Sequence, residues 1–325
     1  MSNDTLTAIQ GIQVGHASLA NGPSGCTVIL TRGGATAGVD VRGGAPGTYG
    51  TDTLNPLNLV DRVHGIFFTG GSAFGMSVAE GVRNYLSSRG IGFDSGHGLI
   101  PIVSGAVIFD LGLNQSGLYP DAALGFEACT QASSEPVPQG CVGAGTGASV
   151  GKLYGLQQAM KSGLGSACVK APSGVKVAAL MVVNAFGDVI DPALNHPIAG
   201  CRKSPHSLQL IDADAQLRHL KQLKGFSEGQ NTVVGVVATN VKFTKTQLTK
   251  VAQMAHDGLA RTVYPAHTQY DGDTIFSLSC GDLEGVEVSV VGSLAAQATA
   301  RAILHGVRKA CSWGRLPAFA DLHPR

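Results

Sequence analysis

Short apolar runs separated by Gly, Pro, Asn and Ser dominate the chain, and their lengths predict strands and helices mixed throughout. Residues 11–42, GIQVGHASLANGPSGCTVILTRGGATAGVDVR, carry β-branched segments broken by Gly and Pro, which predicts antiparallel strands and hairpins. VHGIFFTGGSAFG (63–75) predicts a buried strand entering a glycine turn, then a helix with Ala79, Val82 and Leu86 on its apolar face. LIPIVSGAVIFDL (99–111) and VKVAALMVVNAFGDVI (175–190) predict further buried strands, the second with Asn184 near its end. Thr244 can cap a helix with Leu248, Val251, Ala255 and Leu259 at helical spacing. VEVSVVGSLAAQATARAILHGV (286–307) predicts a strand followed by a small-residue helix. The class is α+β, with no internal repeat of fixed period.

One segment breaks this rhythm. Residues 202–230 turn polar and linker-like, with a short helix expected around 213–223. They run into Asn231 and then directly into the apolar strand TVVGVVATN, so a Thr stands at the junction. The tail from Ser312 is expected to be peripheral.

Composition narrows the function. With 23 basic and 22 acidic residues in 325, the chain has no electrostatic footprint for nucleic acid or an anionic membrane, and a small near-neutral partner is expected. Glycine, at 45 residues, has about twice its ordinary share, which reads as tight turns and close backbone approaches. Seven cysteines without a CxxC or zinc spacing are expected to be reduced and mostly buried, with no metal. No signal peptide and no apolar run of roughly 18 residues is present, so the expected compartment is the cytoplasm.

Two familiar motifs fail on detail. In GCVGAGTGASVGKL (140–153), Thr146 occupies the first Gly position of a phosphate loop and Leu153 its Ser/Thr position, so no nucleotide cofactor is expected. TGGSAFG does not fit a GxSxG elbow, and His16 and His64 are read as structural rather than as bases.

The Asn231-Thr232 junction carries a different chemistry. If the chain is cut there, Thr232 becomes amino-terminal, and its α-amine, with a pKa of about 8, can take the proton of its own hydroxyl. By pattern alone, a Thr opening a strand is more often just a strand residue, and DGD is more often a turn.

The chain resembles the L-aminopeptidase/D-esterase (DmpA-like) family, which includes β-peptidyl aminopeptidases and nylon-oligomer (6-aminohexanoate oligomer) hydrolases. The likeness runs through GIQVGH, GCTVIL, AGVDVRGGAPGT, TGGSAFGM, AVIFDL, YPDAALG, GAGTGASVGK, VVNAFG, NTVVGVVATN and YDGDTIFSLS. It implies an αββα four-layer sandwich of the N-terminal nucleophile type, one hydrolase domain over 1–325, cut into chains 1–231 and 232–325. It also implies a homo-oligomer, a tetramer of αβ units, acting on short peptides, β-peptides or ω-amino-acid oligomers through an acyl-enzyme.

The site residues the resemblance implies are Thr232 as nucleophile and Asp271 and Asp273 as an acidic pair on one strand face, holding the α-ammonium and orienting the hydroxyl. Asn184 would donate to the oxyanion and Lys152 stabilise charge, with Lys161 a second choice. Phe109 stands where some members have Tyr, and Tyr49 and Gly50 replace charged residues near the substrate entrance. Two alternatives remain at this point: acyl transfer of the ornithine acetyltransferase type, and an uncut binding protein.

Overall fold

A computed structural model describes residues 3–221 and 231–322. Nine strands form its large sheet: β1 (Gln13–Ser18), β2 (Gly25–Val41), β3 (Thr48–Tyr49), β4 (Arg62–Thr69), β5 (Val103–Val107), β6 (Leu164–Lys170), β7 (Lys176–Asn184), β8 (Thr232–Val241) and β9 (Thr274–Leu283). Their order is β6-β7-β8-β9-β2-β4-β5-β3, with β1 also paired to β2. The pairs β8/β9 and β4/β5 are parallel and the others antiparallel. The main helices are α1 (Val78–Ser88), α2 (Ala122–Thr130), α3 (Lys245–Ala260) and α4 (Val288–Arg308).

Side-chain alternation along the strands sorts these elements into layers. On β7 and β8, Val177, Ala179, Met181, Val183, Val233 and Val237 pack against Leu248, Val251 and Ala255 of α3 and Val291, Ala295 and Ala298 of α4. Their neighbours Ala178, Leu180, Val182, Val234 and Val236 face the opposite way. With Phe276 and Leu278 of β9, they meet Ile29, Ile66, Phe68 and Ala106 from the other half of the sheet. The outer face of that half, Val28, Leu30 and Phe67, lies under Val78, Val82 and Leu86 of α1 and Ala128 of α2. The sheet is therefore folded over on itself, and the order of layers is α3/α4, sheet, sheet, α1/α2.

The fold-over is made by β2. Its first half pairs with β4, its second with β9, and the register breaks between Leu30 and Ala35. Arg32, Gly33 and Gly34 occupy the break, where Gly34 has φ +73°, a conformation open to Gly at little cost. The glycines thus bend one long strand where the pattern predicts separate short ones.

Other expectations hold or shift for physical reasons. Thr244 forms a full capping box with Gln247, and Leu248, Val251, Ala255 and Leu259 are buried. VEVSVV does not form a strand, because Val291 opens the helical series Val291, Ala295, Ala298, Ala302 that α4 buries. Packing here overrides the β-propensity of valine.

The polar segment from 202 is fastened rather than linker-like up to 217. The buried Arg202 guanidinium donates to the carbonyls of Gln157, Ala159, Pro205 and Ser207, and Asp188 accepts the N–H groups of Cys201 and Ala213. The helix there is Ala213–Leu217, shorter than expected, since 218–221 form turn and irregular backbone; 222–230, the last part of the expected helix and linker, lies outside the described residues. The tail is not peripheral either, since Leu316 and Ala318 are buried and the Pro317 carbonyl accepts the Lys161 N–H. All seven cysteines are free and four of them are buried. Among the described residues no helix is long and apolar enough to cross a membrane.

The Phe276 ring fills the space between the sheet layers, fully buried and 6.0 Å from the ring of Phe68. Phe276→Ala should lower the unfolding free energy by about 3–5 kcal/mol, measured by denaturant titration. A loss below about 1 kcal/mol would place this ring outside the core.

Candidate active site

Strand directions bring the implied residues together. Antiparallel pairing sets Asn184, the last residue of β7, opposite Thr232, the first of β8. Parallel pairing of β9 with β8 brings the residues just before Thr274 to the same edge, where Asn231 bridges Asp271. Lys152 follows the short strand Ser149–Val150, and its N–H donates to the Phe186 carbonyl, two residues beyond Asn184. Thr232, Asn231, Asn184, Lys152, Asp271 and Asp273 are all buried at this edge.

At the centre, the Thr232 hydroxyl donates to the carbonyl oxygen of Asn231. The same oxygen accepts the Gly272 N–H at 2.9 Å. Two donors therefore polarise the carbonyl that the hydroxyl touches, an arrangement that lowers the cost of negative charge on that oxygen. Only Gly fits at 272: a Cβ there would lie 2.7 Å from the Ala45 carbonyl oxygen and 2.9 Å from Thr232 Oγ1.

Lys152 and Asn184 form one unit. Lys152 Nζ donates to Asn184 Oδ1 at 2.7 Å and to the Asn184 carbonyl at 3.0 Å, while Ser149 N–H donates to Oδ1 at 3.2 Å. Asn184 Nδ2 donates to the Phe109 carbonyl at 3.1 Å, which engages one of its two amide hydrogens. Phe109 thus contributes its backbone carbonyl to this unit, while its side chain has no hydroxyl to offer. Burial pushes the Lys152 ammonium down to about 7, against the opposing pull of the Asp271 and Asp110 carboxylates. Asp110, raised by its own burial, lines with Lys152, Phe109 and Leu156 a cavity of about 50 Å³. That volume admits water but not a substrate amide.

The acidic pair differs from expectation in one respect. Asp271 and Asp273 lie just ahead of β9, Asp271 in the bridge to Asn231, and their carboxylates serve different partners. Asp271 accepts from Phe186 N–H, Thr268 N–H and, at 2.5 Å, the Thr268 hydroxyl. Burial, reinforced by the charge of Asp273, still raises it to about 7. Asp273 Oδ1 accepts Val233 N–H at 2.8 Å, one residue past Thr232, and its Oδ2 accepts both His267 N–H at 2.9 Å and His267 Nδ1–H at 2.8 Å. The neighbouring His256 is buried, and desolvation lowers it to about 4.

The remaining candidates lie elsewhere. Lys161 is fully buried, but its ammonium donates to the carbonyls of Gly145, Ala148 and Ser162 and serves as a backbone clamp. His16 pairs with the Thr27 hydroxyl and is lowered by burial to about 4; His64 accepts the Ile102 N–H. Tyr49 takes a hydrogen bond from Arg83, and Gly50 sits in a left-handed turn. Gly272, Thr268, His267 and Asp110 are the site residues that sequence reasoning missed. For His267, the available signal was a His four residues ahead of the DGD run.

The chain is similar to known proteins along nearly its whole length. The model for Peptidase family S58 matches residues 4–315. A Mycobacterium tuberculosis protein described as an uncharacterized aminopeptidase is 39% identical over 99% of this chain and 98% of its own length. The 6-aminohexanoate-oligomer endohydrolase of Paenarthrobacter ureafaciens is 33% identical over 89% of this chain and 79% of its own. Among solved structures, a Burkholderia sp. beta-aminopeptidase superposes with a TM-score of 0.73 at 22% identity, covering 99% of this chain and 92% of that one. The L-aminopeptidase D-Ala-esterase/amidase of Ochrobactrum anthropi, described as a variant of the Ntn hydrolase fold, superposes with a TM-score of 0.72 at 19% identity, covering 95% and 86%. The two solved structures establish the fold, and the family model together with the sequence relatives establishes that this chain belongs to peptidase family S58, as a hydrolase acting on amide bonds.

Proposed function

We propose that the protein cuts itself between Asn231 and Thr232 and then hydrolyses short peptides or amino-acid oligomers with Thr232 as an amino-terminal nucleophile. The observation that carries this reading is the Thr232 hydroxyl resting on the Asn231 carbonyl while Gly272 N–H holds the same oxygen. In the first stage, Oγ1 attacks the Asn231 carbonyl carbon and the oxygen takes up negative charge against Gly272 N–H; the C–N bond then breaks as the proton lost from Oγ1 passes to the Thr232 nitrogen, leaving an Asn231–Oγ1 ester and a free α-amine. Water then hydrolyses the ester.

In the second stage the new α-amine takes the hydroxyl proton as Oγ1 attacks a substrate amide and returns a proton to the leaving amine; water then hydrolyses the resulting acyl ester to release the acid and restore the hydroxyl. The free Asn184 Nδ2 hydrogen and Gly272 N–H are the donors for the tetrahedral oxyanion, and Lys152 holds Asn184 in place. Asp271 and Asp273 flank the new amine and favour substrates bearing a cationic end. The names of the relatives, an aminopeptidase and an endohydrolase of 6-aminohexanoate oligomers, support this substrate class.

Thr232→Ala should leave the chain uncut and lower hydrolysis of amino-terminated amides by at least about 10³-fold. Thr232→Ser should retain cutting and measurable turnover. An uncut Thr232→Ala protein that hydrolyses these amides at the wild-type rate would rule out Thr232 as nucleophile. Gly272→Ala should slow self-cleavage in pulse-chase gels, because its Cβ crowds Thr232 Oγ1; unchanged processing would remove Gly272 from the attack geometry.

Removing the Thr268 hydroxyl tests the acid. Its hydrogen bond favours the charged carboxylate, so its loss raises the Asp271 pKa further above about 7. In Thr268→Val the acidic limb of the kcat/KM profile should move to higher pH by about one unit. A limb that stays fixed or moves to lower pH would mean that Asp271 does not govern it.

A further inference from the structure

We propose that His267 is a positioning residue for the hydrolytic reaction: it grips Asp273 Oδ2 with two N–H donors and thereby turns Oδ1 toward the start of the nucleophile strand. This rests on the reading of Thr232 as nucleophile and Asp273 as its acidic neighbour.

The geometry fixes the proton on the ring. Asp273 Oδ2 is an acceptor, so His267 Nδ1, at 2.8 Å, must carry hydrogen, and the backbone N–H of the same residue reaches the same oxygen at 2.9 Å. Oδ1 is left to accept Val233 N–H at 2.8 Å, on the residue next to Thr232. Asp273 itself is 1% exposed, so these donors do the work that water does for a surface carboxylate.

The backbone is bent to make this possible. His267 has φ +57°, in the left-handed region, which is unfavourable for a residue that is not Gly. In that conformation both of its donors converge on one oxygen. A second wall keeps the ring in place. His256 sits edge-on to it with centroids 4.8 Å apart, and His256 Nε2 is directed at the Asp40 carbonyl at 3.1 Å. The other oxygen of the chain at this point, the Asp273 carbonyl, is held by Arg42 and Gly43 N–H, so neither end of the residue can rotate away.

Two substitutions separate a positioning role from loop structure. Gly tolerates φ +57° but has no side-chain donor. Asn also tolerates it, and its Nδ2–H can stand where Nδ1–H stands. In the purified protein, His267→Gly should lower kcat by roughly 10-fold to 100-fold with KM changed by less than about threefold, as expected for losing a hydrogen bond to a charged group. His267→Asn should recover most of that loss, with both variants melting within a few degrees of wild type.

Wild-type kcat in His267→Gly would overturn the inference, as would equal losses in Gly and Asn. Thr232→Ala assayed in parallel separates the two levels: if it is cut and active, the nucleophile assignment fails; if it is inert while His267→Gly matches wild type, only the role of His267 fails.

Discussion

The position of β8 governs the site. It lies between an antiparallel neighbour that ends opposite Thr232 and a parallel neighbour that starts beside it, so three separate stretches of sequence meet at one strand end. The Asn231 carbonyl accepts from Gly272 N–H, in the stretch that leads into β9, and also from the Thr232 hydroxyl, and both residues of the junction are buried. The sheet thus fixes the Thr232 hydroxyl against the Asn231 carbonyl oxygen, and under the proposed self-cleavage that ordering would already be in place before reaction.

Burial then sets the chemistry of the surrounding charges. A lysine and three carboxylates lie within one dry region, where isolated ions are costly by several kcal/mol each. Lys152 and Asp271 respond by moving toward one another, each to about 7, while Asp273 is held by three N–H donors. Burial thus shifts the lysine and the aspartate in opposite directions from their ordinary values, a pattern common where charged groups are gathered at functional sites. Lys161, equally buried, shows the contrasting solution: three carbonyl acceptors and no contact with the reacting groups.

Much of this was legible in the sequence, for identifiable reasons. β7 and β8 were readable as continuous apolar runs and α3 through its helical spacing, whereas the αββα layering came from the family resemblance, because strands apolar on both faces do not say which face meets which layer. The central residues came from resemblance, since a Thr at a strand start and a DGD turn carry little signal by themselves. What sequence could not give was direction. Whether Asp271 and Asp273 share a strand face depends on where β9 begins, and the structure starts it at Thr274. His267 and Gly272 matter through one dihedral angle and one backbone N–H, neither of which leaves a periodic trace. Valines 288, 290 and 291 point toward a strand by propensity, and α4 claims them because its small-residue face packs more apolar surface.

The central claim is that this strand end severs its own chain, and intact mass with amino-terminal sequencing of purified wild-type protein tests it most directly. The account predicts two polypeptides, the smaller beginning Thr-Val-Val-Gly and containing residues 232–325. A single uncut chain that hydrolyses amides at full rate, or a second amino terminus at any other residue, would contradict it.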